Sequence, residues 1–148
     1  MDLKRVLVVD DSELLHKMYD LFLMRYRQYG CVVIHARHGA EAISIIRAQP
    51  DIELILLDVN MPVLGGLDTL RQLKAIGWLE NGVVIMVSTR GREADMTAAL
   101  ELGAHGYVTK PIPPQELHTL IGKFFPTLPT SQLDSADESK VRVVGAGG

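Results

Sequence analysis

Short aliphatic runs alternate with longer segments of helical spacing between residues 5 and 125. This alternation restricts the chain to a parallel sheet wrapped by helices. The runs fall at 5–9, 31–36, 54–57, 83–87 and 106–109. Between them, five helices are predicted. Ser12 caps the first, which runs to about Tyr29 and stops before Gly30. The others cover about 40–48, 67–76, 93–102 and 114–125, and Gly103 is a natural stop for the fourth. The loop Asn60-Met61-Pro62-Val63-Leu64-Gly65-Gly66 carries turn chemistry in its proline and paired glycines.

Four of these runs end in polar residues. Asp10 and Asp11 follow the first, Asp58 the third, Ser88 the fourth and Lys110 the fifth. Charge this close to core segments is costly to desolvate unless it faces a cleft or meets a cation. In one parallel sheet the polar ends share an edge, and in open α/β sheets that edge is where ligands bind. Crowded carboxylates repel one another, which raises the pKa of at least one unless a cation intervenes. Mg²⁺ suits such a set, because it takes one or two carboxylates, keeps waters and leaves room for phosphate oxygens. A carboxylate is also a competent nucleophile for phosphoryl transfer. Asp58 stands alone before a glycine-containing loop and suits an accessible acceptor. Asp10 or Asp11 suits metal binding. Lys110 supplies a point charge and Ser88 a hydroxyl. Taken singly, each residue also has an ordinary reading as a helix cap, loop residue or solvated lysine.

The 148 residues suit one domain with a full-sized core, and 47% hydrophobic content is ordinary for a globular chain. A net charge of −3, with no basic stripe, argues against direct nucleic-acid binding. Cys31 is the sole cysteine, which excludes an intramolecular disulfide and a multi-cysteine zinc site; its apolar run points to a buried, inert thiol. No apolar run is long enough to span a bilayer, and the early first strand leaves no room for a signal peptide, so a cytoplasmic location is expected. The domain is expected to cover 1–125. Residues 126–148 change to a Pro/Ser/Asp/Gly-rich composition expected of a tail or linker.

The segments Val8-Val9-Asp10-Asp11-Ser12, Leu57-Asp58-Val59-Asn60-Met61-Pro62, Met86-Val87-Ser88 and Gly103-Ala104-His105-Gly106-Tyr107-Val108-Thr109-Lys110-Pro111 resemble a response-regulator receiver domain. The resemblance implies a flavodoxin-like sheet of five parallel strands in the order 2-1-3-4-5. It implies a phosphorylation-activated switch, not an enzyme in its own right, that takes a phosphoryl group from a histidine kinase or phosphotransfer protein. Asp58 is then the phosphoacceptor. Mg²⁺ is held by Asp11, Asp58 and the backbone carbonyl of Asn60, with Asp10 acting through the metal's water. Ser88 and Lys110 contact the phosphoryl group, and Tyr107 turns inward on activation. An output protein or domain would bind the face made by the fourth predicted helix, fifth strand and fifth helix. The Lys110–Pro111 bond is expected to be cis. Gly65, Thr89 and Arg90 depart from the family's common choices or lie beside the phosphate entrance.

Other functions fit less well. A haloacid-dehalogenase-like phosphatase also uses Mg²⁺ and an aspartyl phosphate, but it would want its nucleophile after the first strand in an Asp-x-Asp pattern. A flavodoxin-like FMN carrier would want a Ser/Thr/Gly-rich loop where this chain has Asp-Asp-Ser-Glu. A purely constitutive docking module would not need the complete acidic set. The chain also suits the receiver part of a larger regulator or kinase.

Overall fold

The computed structural model describes residues 3–61, 64–89 and 93–126. Five strands, β1 (Arg5–Val9), β2 (Val32–Ala36), β3 (Leu54–Asp58), β4 (Val83–Thr89) and β5 (Gly106–Lys110), form one parallel sheet in the order β2-β1-β3-β4-β5. The helices are α1 (Glu13–Phe22), α2 (Met24–Arg27), α3 (Gly39–Ala48), α4 (Gly66–Ala75), α5 (Glu93–Leu102) and α6 (Pro114–Phe124), with a 3-10 turn at Trp78–Glu80.

Strand side chains alternate between faces, and each face builds its own core. Leu7, Val9, Ile55, Leu57, Val84 and Met86 pack on one side with Ala42, Ile46, Leu70, Leu73, Met96 and Ala99 from α3, α4 and α5. Val6, Val8, Leu54, Leu56, Ile85 and Val87 pack on the other with Tyr19, Leu117 and Ile121 from α1 and α6. The strands β1, β3 and β4 therefore read as near-continuous apolar runs, as strands covered on both faces do. Burying each such aliphatic side chain contributes about 1.5–3 kcal/mol.

Two details differ from the sequence expectation. The first predicted helix is two. At Leu23 (φ −96°, ψ 6°) the winding tightens, and the Tyr26 N–H bonds the Leu23 carbonyl three residues back, at 3.0 Å. Buried Leu23 and Tyr26 anchor that turn, so the described residues carry six α-helices where five were expected. The other difference is that three strands extend into the polar residues thought to follow them. Asp58 is in register with Val87, Ser88 with Thr109, and Thr89 with Lys110. Ladder pairing thus fixes the backbone of these polar residues.

Ser12 caps α1 as expected, accepting from the Leu15 N–H at 3.2 Å. Gly103 follows α5 at φ +115°, in the left-handed region that favours glycine. Cys31 is buried, and burial pushes its thiol up to about 11. Among the described residues no helix is long and apolar enough to cross a membrane. The expected tail from 127 onward, and the Pro62-Val63 and Arg90 positions, lie outside the described residues.

Candidate functional site

The sheet brings Asp10, Asp11, Asp58, Ser88 and Lys110 to the carboxyl ends of β1, β3, β4 and β5. Asp10 directly follows β1. Its N–H continues the ladder to the Ala36 carbonyl at 3.1 Å, and its Oδ1 accepts from the Ser12 N–H at 2.9 Å. Its side chain is fully buried, whereas Asp11 is exposed. Asp58 closes β3, and its Oδ1 accepts from the Asn60 N–H at 3.3 Å. One carboxylate oxygen from each of Asp10, Asp11 and Asp58 lies within 4.8 Å of the others.

Lys110 Nζ reaches this group from β5, 3.0 Å from Asp10 Oδ2 and 3.3 Å from Asp58 Oδ1. The bond that follows it, Lys110–Pro111, is cis, in agreement with the sequence expectation. Asp58 is less open than the sequence suggested. Asp58 is only 3% exposed, because it lies inside the ladder with the lysine ammonium against it.

Burial, then the negative charge of Asp10, pushes the Asp58 carboxyl up to about 6. The Lys110 ammonium and the Asn60 N–H oppose that rise without cancelling it. Burial works against the charged form of Lys110, but the Asp10 and Asp58 carboxylates outweigh it and hold its pKa above the ordinary value. Among the described residues, one ammonium thus faces the Asp10 and Asp58 carboxylates, with Asp11 beside them. Asp10 Oδ2, although near Nζ, receives no directed hydrogen bond. An all-oxygen donor set, with Asp10 and Asp58 buried and Asp11 exposed, fits a hard divalent cation such as Mg²⁺.

Gly66 belongs to this site, although sequence reasoning assigned it only a turn role. A Cβ there would lie 2.3 Å from the Asp58 carbonyl oxygen and 2.7 Å from the Val59 Cα. The start of α4 can therefore close on the Asp58 loop only with glycine, and the Gly66 N–H donates to the Val59 carbonyl at 2.9 Å. The neighbouring Gly65 has no such constraint, with nothing nearer than 3.6 Å.

The remaining residues are more dispersed. Ser88 is buried at the site, but its hydroxyl donates to the Thr89 carbonyl at 3.1 Å. Asn60 and Thr89 are exposed. Tyr107 points outward and is 45% exposed. Of the apolar residues around the site, Leu14 is 69% exposed, whereas Ile112 is buried in the core.

The response regulator receiver domain model matches residues 6–122. A chemotaxis protein CheY homolog of Campylobacter jejuni is 34% identical over 113 residues, 76% of this chain and 85% of that one. The transcriptional regulatory protein CpxR of Escherichia coli is 40% identical over 114 residues, 77% of this chain and 45% of CpxR. A chain of the CheX–CheY–BeF3–Mg²⁺ complex from Borrelia burgdorferi superposes with a TM-score of 0.74 at 27% identity, over 82% of this chain and 89% of that one. Sheet order, acidic edge and relatives agree: the chain belongs to the response-regulator receiver family of two-component signalling.

Proposed function

We propose that Asp58 is the residue that accepts the phosphoryl group, and that a histidine kinase or phosphotransfer protein donates it. The observation that carries this reading is the position of Asp58. It ends the central strand β3, beside two further aspartates and 3.3 Å from Lys110 Nζ.

In the step, an Asp58 carboxylate oxygen attacks phosphorus in line with the donor's phosphoramidate nitrogen. The O–P bond forms, the P–N bond breaks, and the departing imidazole takes a proton from solvent. Lys110 leaves its present position between Asp10 and Asp58 and pairs with a phosphoryl oxygen, for which its flexible stem suits it. Asp11, Asp58 and the Asn60 carbonyl would hold Mg²⁺, with Asp10 acting through its water. When bound, that ion neutralises charge on the phosphoryl oxygens. The domain is a phosphoacceptor switch, and its chemistry is limited to gaining and losing this group.

Phosphorylation adds about −1.5 to −2 charge and new acceptor oxygens. Ser88 exchanges its bond to the Thr89 carbonyl for one to the phosphoryl group. Tyr107 then turns inward, and the face formed by α5, β5 and α6 changes shape for its output partner. By the family resemblance the kinase side engages the α1 surface after Asp11, with Leu14, Leu15 and Met18, plus Ile112. Leu14 is exposed and Leu15 and Met18 are half-buried, whereas Ile112 is too buried to contribute.

Incubation with acetyl phosphate and Mg²⁺, followed by intact mass spectrometry, tests the assignment. One phosphoryl group should appear in the wild type, and none in Asp58→Asn or in EDTA. An adduct that persists in either control contradicts it.

A further inference from the structure

Behind the acidic pocket, α1 and β2 bring two imidazoles together. His16 Nδ1 lies 2.6 Å from His35 Nδ1, with the ring planes 71° apart. His16 is 4% exposed, and the His35 side chain is a quarter exposed. The far nitrogen of each ring is committed. His16 Nε2 lies 2.7 Å from the Asp10 carbonyl, and His35 Nε2 lies 3.0 Å from Asp20 Oδ1. A carbonyl and a carboxylate only accept, so both Nε2 atoms carry the hydrogen. In neutral imidazoles that leaves both Nδ1 atoms as bare lone pairs, aimed at each other across 2.6 Å. Two lone pairs at that separation repel unless a positive centre lies between them.

The same arrangement is the usual outer shell of a metal-binding histidine, whose second nitrogen donates to a carboxylate or a backbone carbonyl. We propose that His16 Nδ1 and His35 Nδ1 form a second cation site, distinct from the Asp10–Asp11–Asp58 pocket, for a borderline divalent ion such as Zn²⁺. Imidazole nitrogen suits such an ion and not Mg²⁺.

Zn–N bonds of about 2.0–2.1 Å at a tetrahedral angle put two nitrogens about 3.3 Å apart. The 2.6 Å separation must therefore widen by about 0.7 Å, and His35, on the more exposed side, can move outward. Glu13, one turn before His16 on α1, is spaced to share its face and supply a further oxygen. It now pairs with Arg37, whose positive charge it offsets. Water completes the coordination. Because His16 also holds the Asp10 carbonyl, an ion on its Nδ1 would sit one ring away from the acidic pocket.

The test uses the untagged full chain in an Asp58→Asn background with excess Mg²⁺, which disables the acidic pocket for Zn²⁺. Zn²⁺ is titrated calorimetrically, and the histidine ring nitrogens are followed by ¹⁵N NMR. One equivalent should bind, with both Nδ1 resonances shifting and both Nε2 atoms staying protonated. His35→Gln should weaken binding more than about a hundredfold, and Asp20→Ala about 10–100-fold. Circular dichroism establishes that each variant is folded. Absence of binding, or binding indifferent to His35→Gln, would mean the gap holds only a shared proton and would overturn the proposal.

Discussion

The ammonium of Lys110 stands 3.0 Å from Asp10 Oδ2, a buried carboxylate oxygen that no directed hydrogen bond satisfies. That same ammonium is 3.3 Å from Asp58. Among the described residues, one cation therefore serves two buried carboxylates, and it does not cancel the rise in the Asp58 pKa. The consequences are measurable without any phosphodonor.

In metal-free protein, Asp58→Asn is expected to stabilise the fold at neutral pH. The Asp58 pKa is raised from 3.8 to about 6, so the folded state holds the proton more tightly than the unfolded state. Below the unfolded value both states are protonated, and the carboxyl costs nothing. The penalty grows as pH rises between 3.8 and about 6, and it is complete above that. A shift of this size corresponds to about 3 kcal/mol, to order of magnitude. Urea unfolding in EDTA should show Asp58→Asn more stable at about pH 7.5 and nearly equal to wild type near about pH 3.5. Equal stability at both pH values would contradict the raised pKa. Mg²⁺ should stabilise the wild type more than the variant.

Lys110→Met keeps the apolar stem and removes the charge. Losing one partner of a buried pair costs about 3–5 kcal/mol, and the 22% exposure of Lys110 argues for the lower part of that range. The loss should shrink as the medium is acidified and the remaining carboxyls take up protons. A variant as stable as wild type at neutral pH in EDTA would show that the lysine does not offset the acids.

The two glycines at the start of α4, its cap Gly65 and its first residue Gly66, should behave oppositely. In Gly66→Ala the new methyl meets backbone of Asp58 and Val59, which cannot move like a flexible side chain. A loss of about 1–3 kcal/mol is expected, together with weaker Mg²⁺ binding through displacement of Asp58. Gly65→Ala has room and a φ of −71°, so it should be neutral, or stabilising by about 0.4–1 kcal/mol. Calorimetric Mg²⁺ titration with thermal melts of both variants checks this. Similar behaviour of the two would refute the close approach of α4 to the Asp58 backbone.

Ser88→Ala should leave Asp58 modifiable but uncouple the far face. The hydroxyl now donates to the Thr89 carbonyl, and in the proposed mechanism it turns toward the phosphoryl group to transmit the change. Beryllofluoride, which mimics that group, should shift NMR resonances of α5 and Tyr107 strongly in wild type and weakly in Ser88→Ala. Equal shifts would exclude Ser88 as the link.

Much of the fold is legible in the sequence. The strand cores are, because residues such as Val6 to Val9 and Leu54 to Leu57 are buried on both sheet faces and so read as unbroken apolar runs. The acidic edge is, because charge at the ends of such runs is too costly to bury unless it lines a cleft or meets a cation. The break at Leu23 is not: Tyr19, Leu23 and Tyr26 keep helical spacing across it, so the apolar pattern carries no sign of it. The role of Gly66 depends on how closely α4 approaches the Asp58 carbonyl, a distance that no local pattern encodes. The pairing of His16 with His35 joins a helix to the edge strand β2, and two isolated histidines carry no such signal until the fold places them together.

Of the three clustered aspartates, Asp58 is the one proposed to take the phosphoryl group. The most direct measurement is to phosphorylate the protein with acetyl phosphate and Mg²⁺, reduce the acyl phosphate with borohydride, and map the resulting homoserine by peptide sequencing in a mass spectrometer. Homoserine at position 58 alone is the predicted result. Homoserine at position 10 or 11, with position 58 unmodified, would contradict it.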